Sequence, residues 1–193
     1  EKYAAENDLP LIKVQHHHAH IVSVMAEHGL TDAVCGIAFD GTGYGVDGAI
    51  WGGEVLLANR SNFERFANFD KTAPYTLSGP EPGEALYNGQ PPTHRMAYGV
   101  LWAYDLLEHP AAAVALAPLG DEAEVCDTMI ERGLNTPMTS SVGRLFDAAS
   151  ALLGICTEPS YEGEGAILLE AAMEAAGADV AGAAAVEEAA GVA

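Results

Sequence analysis

The sequence predicts an α/β fold, an antiparallel β-meander with helices flanking it. Three observations carry this. Apolar runs of strand length occupy residues 34–39, 49–51 and 54–58, with a further short stretch over 61–66. Apolar residues three and four apart recur over 16–28, 96–107, 123–132 and 145–152, the period of helices. Between the first two apolar runs stands Asp40-Gly41-Thr42-Gly43-Tyr44-Gly45, and Asp-Gly is a leading hairpin signal.

Taken in order, residues 1–9 read as the tail of a helix that breaks at Pro10. Residues 11–14 are expected to form a short buried strand that delivers Gln15 and four histidines (His16, His17, His18, His20) into an amphipathic helix ending near Gly29. The meander over 34–66 is expected to turn first at its glycine-rich segment. Residues 72–95, with Pro74, Pro80, Pro82, Pro91 and Pro92, read as loop, a boundary or a lid. A helix spans 96–107 and residues 111–117 stay undecided. A short helix over 123–132 closes at Gly133. Thr139, Ser140 and Ser141 are candidate N-caps of a helix ending at Gly154, with Leu145, Ala148, Ala149 and Leu152 as its apolar stripe. A last helix covers 166–176, and the Ala/Gly-rich residues 177–193 are expected to fray.

Composition narrows the function. Twenty-eight acidic residues against eight basic ones leave a net charge of −20. Such a surface repels phosphate backbones, which argues against nucleic-acid binding. It also suggests a salt-rich cytoplasm, where self-repulsion is screened. Cys35, Cys126 and Cys156 are odd in number and widely spaced, fitting a reducing, cytoplasmic setting without a disulfide framework. No apolar run reaches the length of about 18 residues that a membrane span needs. The opening Glu1-Lys2-Tyr3 reads as the middle of a longer chain, so a fragment is expected.

The chemistry concentrates in two places. On a helix His16 and His20 stack on one face, with Ser23 and Glu27 below them and Ile21 and Met25 turned away. Two imidazoles at i, i+4 are a metal-binding spacing suited to Zn or Fe. His17 and His18 fall toward the apolar side and are not assigned as ligands. Asp40 closes a core strand, where a carboxylate can ligate a metal or hold a phosphate-bound Mg ion; the competing reading is an ordinary hairpin loop. The following glycines could close backbone N–H groups on a phosphate. Arg144, a candidate catalytic residue with Asp40, is either a charge set near a ligand at a helix N-terminus or half of a surface i, i+3 pair with Asp147.

Four ordered blocks, VQHHHAH (14–20), IAFDGTGYGVDGAIWGGEVLL (37–57), MIERGLNTPMTSSVGRLFDAASALLGI (129–155) and SYEGEGAILLE (160–170), resemble the HypF carbamoyltransferases of nickel–iron hydrogenase maturation, specifically their C-terminal transferase domain. Residues 68–95 fit that family poorly. The resemblance implies an incomplete fold of the actin/Hsp70/sugar-kinase type, with residues 1–176 as part of the domain. It implies carbamoyl transfer from carbamoyl-adenylate, made from carbamoyl phosphate and ATP, to the C-terminal cysteine of the partner HypE. By position, His16, His20 and Asp40 would hold a divalent metal, Zn or Fe, and Gly41, Thr42 and Gly43 would border the nucleotide phosphates. A further metal-binding Asp and the adenine-binding segment of the family would lie beyond residue 193, so this stretch alone is expected to be inactive. Two other readings compete: a tRNA threonylcarbamoyl- or O-carbamoyltransferase relative, and a non-catalytic metal-binding module.

Overall fold

The computed structural model describes residues 1–69, 93–134, 136 and 138–177. The chain divides into two units, residues 1–71 with 138–142, and residues 72–137 with 143–193.

The first unit begins with a short helix α1 (Lys2–Glu6) and a helix α2 (His16–Glu27). Three strands follow, β1 (Val34–Tyr44), β2 (Ile50–Ala58) and β3 (Phe63–Asn68), antiparallel in the order β1-β2-β3. The meander therefore forms as expected, with its first turn displaced. Residues 40–44 continue β1 instead of turning, and the register shifts between Phe39 and Gly43. The chain reverses over 45–49, where Gly45 N donates to Ala49 O at 2.9 Å. A bulge of this kind re-aims the side chains beside it, and here the residue it re-aims is Asp40.

α2 packs on one face of the sheet because its Ile21 and Met25 side chains are buried there with Ala38, Trp51, Leu56 and Ala58. Each large apolar group so buried contributes about 1.5–3 kcal/mol. Gly36 permits the close approach: a Cβ there would lie 2.6 Å from Ile21 Cδ1. Residues 138–142 return to the same unit and pair with β2 through Ile50 and Thr139. Glu54, wholly buried on β2, secures them, accepting hydrogen bonds from Ser140 Oγ (2.5 Å) and Arg65 Nε (2.6 Å). The Arg65 guanidinium lies 4.0 Å over the Trp51 ring, so a buried carboxylate is matched by a charge that is itself stacked.

One expectation fails in this unit. Residues 11–14 form no strand, and Ile12 is 84% exposed. No described strand offers them a ladder, so their apolar side chains find no sheet to cover. α2 ends where expected: Glu27 is its last residue, His28 caps it, and Gly29 follows with a left-handed φ of 65°.

The second unit is helical: α3 (Thr93–Ala103), α4 (Pro110–Ala115), a 3₁₀ turn (Ala117–Leu119), α5 (Glu122–Arg132), α6 (Val142–Leu152) and α7 (Glu164–Ala175). Tyr98, Leu119 and Cys126 form a core cluster, and the Tyr98 hydroxyl donates to Asp127 Oδ1 at 2.5 Å. The undecided stretch 111–117 becomes α4, started by Pro110 and by His109, whose Nδ1 accepts from Ala111 N. α3 ends four residues earlier than its pattern suggests. α5 closes at Gly133 as expected. The stripe expected on α6 is displaced: Leu145 is exposed, and Arg144, Asp147, Ala148 and Ala151 are buried. The proline-rich loop and the Ala/Gly-rich end lie, apart from Thr93–Arg95 and Gly177, outside the described residues.

Candidate metal centre

Gln15 N-caps α2, its Oε1 accepting from His18 N at 2.8 Å. The first turn of α2 then carries His16 and His20 on its outer face, 49% and 55% exposed, above the bulge in β1. Their Nε2 atoms are 3.1 Å apart. Asp40 Oδ2 lies 2.7 Å from the first and 3.5 Å from the second. Among the described residues these three form the one group of histidine, cysteine or acidic side chains placed to hold a metal ion.

The carboxylate is fixed from behind. Gly41 N donates to Asp40 Oδ1 at 2.6 Å. Ser141 Oγ donates to Gly41 O at 2.5 Å and lies 3.3 Å from Asp40 O. Burial by itself would raise the Asp40 pKa, but the bonds from Gly41 and His16 outweigh it and hold the group below the usual carboxylate range. Asp40 is therefore an anion at neutral pH. The donor set fits a divalent ion. Two imidazole nitrogens facing each other cannot both point protons inward, and a tetrahedral Zn site spaces its ligand atoms by about 3.4 Å. These three side chains would supply three of the four ligands that a tetrahedral site takes. A groove of about 380 Å³, lined by His20, Val24, Ile37 and Phe39 among others, runs alongside.

The other expected site residues are placed as follows. Gly41 spends its N–H on Asp40, and Gly43 packs beneath the imidazoles: a Cβ there would lie 2.3 Å from His17 Cε1 and 2.9 Å from His16 Cδ2. Thr42 is exposed on the bulge between them. In the second unit Arg144 Nη1 lies 3.0 Å from Asp147 Oδ2, and both side chains are buried. The pair is thus no surface pair. Burial raises the Asp147 pKa against the opposing charge of Arg144.

Sequence reasoning passed over His17, Ser141 and Glu54. His17 is wholly buried, and its Nε2 lies 3.7 Å from Asp40 Oδ2. Burial first, with the charges of His16 and His20 adding to it, depresses its pKa against Asp40 and Glu54, so the ring is neutral. A signal was present: an imidazole on an apolar helix face needs a polar partner. Gln15 hid it, since glutamine is not among the favoured N-caps.

Known proteins resemble this chain over most of its length. The model described as "Carbamoyltransferase, Kae1-like Domain, second subdomain" matches residues 36–192, and "HypF Kae1-like domain" matches residues 1–27. The chain belongs to the HypF carbamoyltransferase family. HypF of Synechocystis is 37% identical over 185 residues, covering 88% of this chain and 23% of that protein. The probable HypF of Methanocaldococcus jannaschii is 36% identical over 176 residues, covering 88% and 21%. A crystal structure of full-length HypF in a phosphate- and nucleotide-bound form superposes with a TM-score of 0.73 at 40% identity, over 88% of this chain and 21% of that one. HypF of T. kodakarensis gives 0.66 at 40% identity, with 88% and 22% covered. The chain thus spans about a fifth of each of these HypF proteins.

Proposed function

We propose that this chain is part of a carbamoyltransferase, residues 1–176 contributing to a transferase domain of the actin/Hsp70/sugar-kinase type. The full enzyme moves a carbamoyl group from carbamoyl-adenylate to the C-terminal cysteine of HypE during synthesis of the cyanide ligand of nickel–iron hydrogenase. Carbamoyl phosphate and ATP, with Mg on its phosphates, supply the adenylate, and the setting is the cytoplasm. The observation that carries the reading is the convergence of His16 Nε2, His20 Nε2 and Asp40 Oδ2 within 4.8 Å of one another.

In this reading His16, His20 and Asp40 hold a divalent ion, Zn or Fe. The ion supplies Lewis-acid polarisation of the carbamoyl carbonyl or a grip on the adenylate phosphate. The protein's own contribution is position. Asp40 stays ionised and aimed outward because Gly41 and the Ser141 hydroxyl hold its backbone and its second oxygen. His16 and His20 are exposed, so a substrate reaches them from solvent. Gly41, Thr42 and Gly43 border the phosphates. Arg144, buried with Asp147 at the start of α6, is the candidate for a fixed positive charge in the second unit. The attacking thiolate arrives on the partner, so no strong general base is needed. Its sulfur bonds to the carbamoyl carbon, the carbon–oxygen bond to phosphate breaks, and AMP leaves with the electron pair. The acidic surface, net −20, supports a protein acceptor over tRNA.

The test uses the full-length enzyme, radiolabelled carbamoyl phosphate, ATP, and either HypE or tRNA. Label is expected on the HypE cysteine, and His16→Ala or Asp40→Asn should lower transfer on the order of 100-fold together with bound metal. Label on tRNA would overturn the acceptor. Bound metal without transfer would leave a metal-binding module.

A further inference from the structure

Gln15 and His17 belong to the histidine segment, yet the proposed reaction does not use them. The N-cap decides how they face each other. Gln15 Oε1 is committed to His18 N, so its Nε2 is the amide atom lying 3.0 Å from His17 Nδ1. An amide NH₂ only donates, so Nδ1 must present its lone pair. The ring then carries its proton on Nε2, a tautomer assigned from the bonding pattern. That nitrogen is buried and has no hydrogen-bond partner among the described residues, and it faces Asp40 Oδ2 at 3.7 Å. A nitrogen holding its proton toward the site cannot offer a metal its lone pair, so the geometry excludes His17 as a third imidazole ligand in this tautomer.

We infer that His17 is a positioning residue: held by Gln15, it donates Nε2–H to Asp40 and sets where that carboxylate sits for an ion shared with His16 and His20. The inference rests on the metal-site reading above. A movement of roughly 0.7 Å brings the pair to an ordinary N–H···O length. The Trp51 ring, its centroid 5.9 Å from that of His17, and the bare backbone of Gly43 confine the imidazole, so the short movement falls to Asp40 Oδ2, the carboxylate oxygen that Gly41 does not hold. Ligating carboxylates usually need such a hydrogen bond, and its loss weakens metal binding.

The experiment measures Zn affinity by calorimetry, and the visible spectrum of bound Co, in the full chain and in two variants. His17→Phe keeps a flat ring and loses the donor. It should bind about 10–100-fold more weakly, with an altered Co spectrum. His17→Gln restores an N–H at the reach of Nε2 and should recover most of the affinity. Nitrogen NMR of His17 in the metal-free wild type should report the Nε2–H tautomer, which keeps the inference testable if His17→Phe does not fold. Wild-type affinity in His17→Phe, equal weakness of both variants at unchanged melting temperature, or an Nδ1–H tautomer would overturn it. Failure of the wild type to bind Zn or Co would instead remove the metal reading itself and this inference with it.

Discussion

Asp40 Oδ2 serves two imidazoles, at 2.7 Å from His16 and 3.5 Å from His20, and a third waits behind it at 3.7 Å. Four side chains meet there because residue 43 has none. Gly43→Ala would set a methyl group 2.3 Å from His17 Cε1, and neither the helix nor the strand can retreat without opening the core. We expect destabilisation of roughly 1–3 kcal/mol and weaker metal binding. A denaturation midpoint and Zn affinity both equal to the wild type would refute the crowding argument. Helical spacing and strand position marked His16, His20 and Asp40 as candidate donors. They did not show the role of Gly43, because a glycine's close approach depends on what the fold brings against it.

At the scale of elements, β2 and the 138–142 segment are joined by Glu54, Arg65 and Ser140. Burial would raise the Glu54 pKa, yet the bonds from Arg65 and Ser140 and the arginine's charge hold it below the ordinary value. The sign follows. A carboxylate depressed in the folded state adds stability that is present above its unfolded pKa and is lost as pH falls through its folded pKa. Acid titration of unfolding free energy should therefore fall more gently below about pH 4.5 in Glu54→Gln than in the wild type; identical acid limbs would contradict the coupling. Arg65→Ala leaves that carboxylate buried and unpaired, which costs about 3–5 kcal/mol, read from the shift in urea midpoint. A shift under about 1 kcal/mol, the value of an exposed pair, would show that Glu54 finds another partner. The strands and most helices were legible from periodicity. The turn at 45–49 was not, because Asp-Gly reads as a turn wherever it falls, while Gly43 and Tyr44 in fact pair with Trp51 and Ile50. The Leu145 face of α6 misled for a related reason: a buried ion pair, Arg144 with Asp147, took the place that spacing reserves for apolar residues.

For the whole molecule, charge sets the expectation. A net charge of −20 on 193 residues makes self-repulsion a long-range term that salt screens. The melting temperature should rise between about 50 mM and about 2 M KCl, where the screening length drops from over 10 Å to under 3 Å. A protein melting at the same temperature in both would show that its acidic surface is not an adaptation to salt. Among the described residues no helix is long and apolar enough to cross a membrane, in keeping with the absence of any long apolar run.

By itself the sequence determined most element types, the acidic surface, the family, and the candidate donors to a metal, since each depends on residue identity and local spacing. Only the tertiary structure decided which of them meet. The bulge in β1 aims Asp40 at α2, the Gln15 cap orients the His17 ring, and Ser141, a hundred residues along the chain, props Gly41 from below. Local spacing fixes the face on which a side chain stands, but not which distant backbone will be folded against that face. A site assembled from long-range contacts therefore becomes visible only when the chain has closed on itself.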